Sequence, residues 1–101
     1  MAYRHDRSKI DTNQQAIVKA LRRIPGVTVE VSHDDILCGR NGVTYWFEIK
    51  EPEKCLSKKT GKLLISALKP SQVELLDKWT GHYSVVWSLD QILKEIGIKT
   101  N

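Results

Sequence analysis

The chain has 101 residues, 41% hydrophobic and 28% charged, which is ordinary globular composition with material for one modest core, so a single domain over residues 1–101 is expected. The net charge of +4 and pI near 9.2 suit a polyanionic partner but also fit many proteins that have none. No apolar run approaches the ~20 residues that span a bilayer, and the polar start MAYRHDRSKID has no signal-peptide core, so a cytosolic protein without a membrane partner is expected.

Residues 1–10 are expected to form a flexible basic tail. From Asp11 to Ile24 the apolar residues Ile17, Ala20, Leu21 and Ile24 recur at helical spacing, and Pro25-Gly26 supplies a stop. VTVEV, residues 27–31, alternates in β-branched residues and reads as a strand. Next comes DILCGRNGVTYWFEIK, residues 35–50, two β-prone runs around Asn41-Gly42. That dipeptide is a strong hairpin signal because a two-residue type I′ turn needs positive φ at both centres. Residues 51–69 carry lysines and a glycine at their tip and are expected to form a long loop or an extended hairpin. After Pro70, Ser71 and Glu74 have capping-box spacing ahead of a second helix that Gly81 should end. HYSVVW, residues 82–87, reads as a short strand, and Ser88 with Gln91 repeats the capping box before a last helix closed by Gly97. The order is α-β-β-β-α-β-α. A strand reached through a helical crossover tends to lie parallel to its partner, so the expectation is an α/β fold whose mixed sheet is flanked by helices. Cys38 and Cys55 form neither a CxxC pair nor a disulfide framework and read as free thiols.

If Asn41-Gly42 is the loop, Arg40 pairs with Val43, and counting outward sets Asp35 opposite Glu48. Opposed side chains stand ~4.5–5.5 Å apart at Cβ, where like charges destabilise a sheet. Lys50 lies two residues beyond Glu48 and points to the same face. One explanation is a solvated pair at a fraying hairpin end. The other is a divalent-cation site, favoured by the apolar flanks Ile36, Leu37, Trp46, Phe47 and Ile49, which suggest a sheet covered on both sides. Hard oxygen ligands of this kind suit Mg²⁺ or Mn²⁺.

The pattern Asp35, then Glu48-Ile49-Lys50 thirteen residues on, within the order α-β-β-β-α-β, resembles the PD-(D/E)XK nuclease superfamily, and within it the small phage and bacterial VRR-Nuc-type domains. The likeness runs from Asp11 to Gly97 and includes DTNQQAIVKAL as first helix and LKPSQVELLDKW as second. It implies a restriction-endonuclease-like αβββαβ core and a Mg²⁺- or Mn²⁺-dependent DNA endonuclease. The DNA would be branched, such as a four-way (Holliday) junction, cut by a homodimer in a bacterial or phage-infected cell.

By the same resemblance Asp35, Glu48 and the carbonyl of Ile49 hold the metal, Lys50 polarises the attacking water, and Gln72 lines the site. Two departures stand out. Asp34 occupies the position of the name-giving proline, and Gln14 aligns with a glutamate common in relatives, with Gln15 as the other possible equivalent. Glutamine keeps an oxygen but loses the charge, so a catalytically silent nucleic-acid-binding module of the same fold stays open. Lys54, Lys58, Lys59 and Lys62 can grip DNA phosphates or simply face solvent. His33 falls opposite Lys50 as a ligand, a proton carrier or an exposed residue, and Trp46, Trp79 and Trp87 read as core or subunit-interface residues.

Overall fold

The computed structural model describes residues 12–32 and 35–99. The expected basic tail, His33 and Asp34 lie outside the described residues. Helix α1 spans Thr12–Arg22 and buries Gln14, Ile17, Val18 and Leu21 on one face. It stops two residues short of the sequence pattern. Ile24 precedes Pro25, and the proline ring disfavours helical backbone in the residue before it.

Strand β1 (Thr28–Ser32) pairs antiparallel with β2 (Asp35–Arg40), which pairs antiparallel with β3 (Val43–Ile49). Asn41 and Gly42 have φ of 52° and 79°, the left-handed backbone a type I′ turn demands. The expected register follows: Arg40 opposes Val43, Phe47 opposes Ile36, and Asp35 opposes Glu48.

Residues 51–69 are more ordered than a plain loop. A single helical turn, α2 (Pro52–Cys55), leads to an antiparallel bridge between Leu56 and Leu63, then to a 3₁₀ turn at Ile65–Ala67. The Ser57 amide donates to the Lys62 carbonyl at 2.8 Å and the Leu64 amide to the Cys55 carbonyl at 2.7 Å, so the lysine-rich tip is a small closed excursion. Helix α3 (Pro70–Lys78) begins two residues earlier than the expected Ser71/Glu74 box. Proline's fixed φ suits the first helical position, so Gln72, not Glu74, reaches back, its Oε1 accepting the Lys69 amide at 2.9 Å. The helix also ends before Gly81, with Trp79 already extended.

Strand β4 (Ser84–Val86) pairs parallel with β3, and α4 (Leu89–Glu95) follows, opened by the expected Ser88/Gln91 box and followed by Gly97 at φ 88°. The fold is α/β, a four-stranded mixed sheet in the order β1-β2-β3-β4 with flanking helices. One face of the sheet, with Val29, Ile36, Cys38, Phe47, Ile49 and Val86, packs with α1 and α4 into a single core. Among the described residues no helix is long and apolar enough to cross a membrane.

Both cysteines are free, Cys38 in the core and Cys55 at the end of α2. Burial pushes both thiols up, and Lys50 partly offsets the rise at Cys55. A thiol that keeps its proton when folded and loses it when unfolded makes the unfolded chain bind fewer protons, so its contribution to stability is lost as pH rises above ~8.5. The urea midpoint should therefore fall between about pH 8 and about pH 10, and fall less steeply in Cys38→Ala, although that variant is less stable throughout. Equal slopes in the two proteins would remove the thiol from this pH dependence.

Candidate functional site

The alternation that sends Tyr45, Phe47 and Ile49 into the core sends Trp46, Glu48 and Lys50 to the opposite face, where Asp35 meets them from β2. Glu48 is 3% exposed, Asp35 is half-buried, and the Lys50 ammonium lies 3.9 Å from Glu48 Oε2. The lysine sits just past the end of β3 but is held in line with the sheet, because its amide donates to the Val86 carbonyl at 2.9 Å. The solvated-pair explanation fails for Glu48, which is deeply buried.

Gln14 is 6% exposed on α1 and Gln15 is exposed, so Gln14 is the inward-facing member of the pair. Gln72 is buried, with its Oε1 committed to the start of α3. Lys54, Lys58, Lys59 and Lys62 all lie at the surface, the last three on the closed excursion after α2. Trp87 is half-buried, whereas Trp79 is 51% exposed and is not a core residue.

Three supports of the site add to the residues named from the sequence. The Asn13 amide donates to the carbonyls of Lys50 (3.0 Å) and Trp87 (3.3 Å), pinning the first turn of α1 to the ends of β3 and β4. Trp46 donates its indole N–H to Asp35 Oδ2 at 2.7 Å, which fixes one oxygen of the carboxylate. Its ring is met edge-on by Trp79 and Tyr83, with centroids 5.4 and 4.9 Å away. His82 accepts the Trp46 backbone amide on Nδ1 at 3.1 Å, so its neutral ring carries the proton on Nε2, which faces Glu95 Oε1 at 2.7 Å. Ser84 donates to the other Glu95 oxygen at 2.8 Å. The hydroxyl thus serves the carboxylate and not the imidazole, so this Ser-His-Glu group is no nucleophilic triad. It braces the backbone behind Trp46. A signal for the Trp46–Asp35 bond does exist: in the hairpin register Trp46 is the diagonal same-face neighbour of Asp35, within reach of a long side chain.

The donor set fits a hard divalent cation. Two carboxylates face each other across β2 and β3, one buried and one oriented by an indole, and Ile49, the residue after Glu48, closes β3. Among the described residues no third His, Cys, Asp or Glu side chain joins them. A cation here would complete its shell with water and substrate oxygens, as Mg²⁺ commonly does. No protein-family model matches the chain, and no curated protein or solved structure does either.

Replacing Trp46 by Phe keeps the ring contacts but leaves Asp35 without its indole donor. A hydrogen bond to a charged group contributes ~1.5–3 kcal/mol, so Trp46→Phe should lower unfolding free energy by about that amount. In an Asp35→Ala background the same change should cost much less. Additive effects in that double-mutant cycle would mean the bond contributes nothing.

Proposed function

We propose that this chain is a Mg²⁺- or Mn²⁺-dependent endonuclease of the PD-(D/E)XK type, resembling VRR-Nuc domains, that hydrolyses phosphodiester bonds in branched DNA as a homodimer. The observation that carries the proposal is the direct opposition of Asp35 and buried Glu48, with Lys50 on the same face. A structural role would favour unlike charges at opposed positions. The order of helices and strands, with the turns Pro52–Cys55 and Ile65–Ala67 added before α3, supports a restriction-endonuclease-like core.

Asp35 and Glu48 would hold the cation with the Ile49 carbonyl. When bound, such a cation lowers the pKa of coordinated water and offsets charge developing on the phosphate. Lys50 contributes a positive charge and three N–H donors to orient the attacking water. Trp46 keeps Asp35 from rotating away, so the carboxylate is pre-set before substrate arrives. The surface lysines Lys54, Lys58, Lys59 and Lys62 offer phosphate contacts beside the site, since α2 follows Lys50 by one residue.

A second reading rests on Gln14. It occupies, inward-facing, the position at which the resemblance anticipates a glutamate, and a missing ligand charge would favour a binding module with little or no activity.

Incubating the protein with linear duplex and four-way-junction DNA, with and without Mg²⁺ or Mn²⁺, separates the two. Metal-dependent cleavage is expected, and Asp35→Asn or Glu48→Gln should reduce it to background, with melting curves showing each variant folded. Lys50→Met should retain DNA binding and slow the single-turnover step. Wild-type cleavage by Glu48→Gln would rule out the metal assignment, and junction binding without cleavage in either metal would favour the silent module.

A further inference from the structure

Two clefts meet on the edge strand β1. One, ≈ 550 Å³, lies between α1 and Val31 of β1 and is lined by Gln14, Gln15, Lys19, Arg22 and Arg23 among others. Among the described residues its lining holds three cations and no carboxylate. The other, ≈ 540 Å³, lies over the opposite face of β1 and β2 and includes Glu30, Val31, Asp35, Leu37 and Trp46. Val31 belongs to both walls, so the two clefts adjoin at the sheet edge, and Asp35 lies in the wall of the second. The halves differ in chemistry. Lys19, Arg22 and Arg23 are exposed and suit phosphates. Leu37, 46% exposed, sits with Trp46 in the second half, where Glu30 and Asp35 repel phosphates and the apolar surface suits planar bases.

A cationic groove continued by an aromatic and aliphatic shelf is the arrangement that binds single-stranded nucleic acid: backbone on charge, bases on apolar side chains. A duplex keeps its bases stacked inside and cannot present them to such a shelf. We infer that this path binds a single-stranded tract of DNA, with phosphates along Lys19 and Arg23 and an unpaired base against Leu37 and Trp46, leading the strand to Asp35. The inference rests on the nuclease reading for what happens at Asp35, but not for the binding itself.

Binding of a fluorescein-labelled single-stranded oligothymidylate, and of a duplex of equal length, is measured by anisotropy in metal-free buffer over a range of salt. The variants are Lys19→Ala/Arg23→Ala and Leu37→Asp. Arg22 is left in place because its guanidinium donates to the Val29 carbonyl at 3.0 Å. The single strand should bind more tightly than the duplex. The double variant should lower the slope of log affinity against log salt by roughly 0.7 for each phosphate no longer neutralised. Leu37→Asp should weaken single-strand binding by roughly tenfold, the scale of one base contact. Circular dichroism and melting curves confirm that each variant is folded. Folded variants that bind like wild type, or a duplex preferred over the single strand, would overturn the inference. If the oligonucleotide binds as expected but no DNA is cut when Mg²⁺ or Mn²⁺ is added, the nuclease reading fails and the strand-binding path stands.

Discussion

Asn41 and Gly42 hold β2 against β3 in one register, and that register decides which side chains face the core and which face each other across the site. Slipping it by one residue would carry one strand's set, Ile36 and Cys38 or Phe47 and Ile49, to the wrong face. Each such side chain gains ~1.5–3 kcal/mol from burial, whereas a like-charge pair in a sheet costs at most about 1 kcal/mol. The core therefore wins, and the opposition of Asp35 and Glu48 is enforced from the other side of the sheet. Local repulsion is tolerated because it is small against the packing that imposes it.

That balance also explains what can be read from the sequence. The hairpin, its register and the shared face of Asp35, Glu48 and Lys50 depend on period-two alternation and one turn, both local properties. The parallel placement of β4 follows from the helical crossover, and the start of α4 from the Ser88/Gln91 box. The start of α3 does not follow, because Pro70 competes with Ser71 for setting the first turn, and proline's fixed backbone prevails. An apolar segment makes Trp79 look interior, but the helix stops at Lys78 and leaves the indole outside. Bonds such as those from Asn13 to Lys50 and Trp87 join residues 37 and 74 positions apart, and nothing in the local pattern announces them.

The site face is braced by aromatic rings and not by a second apolar core. Trp46 is gripped at its backbone by His82, at its indole N–H by Asp35, and at its ring by Trp79 and Tyr83. Trp79 in turn lies close over Gly81, where an added Cβ would come within 2.8 Å of the indole nitrogen. The glycine thus lets the edge of an exposed indole come close to the chain that follows it. A side chain ordered in this way loses little entropy when something binds beside it.

The two-residue turn also governs how such a hairpin can change length in a diverging lineage. Asp35 and Glu48 are thirteen positions apart. Removing two residues from each strand beside the turn, or inserting two on each side, would keep the carboxylates opposed on the same face and alter only how far the tip projects. Removing a single pair would leave them opposed but turn them toward the core, because the pair that closes a two-residue turn is hydrogen-bonded and bonded and non-bonded pairs face opposite sides of the sheet. A single insertion or deletion in one strand would exchange inside for outside along everything between the indel and the strand's end. The separation of the two acids is therefore free to drift in steps of four and closed to smaller ones.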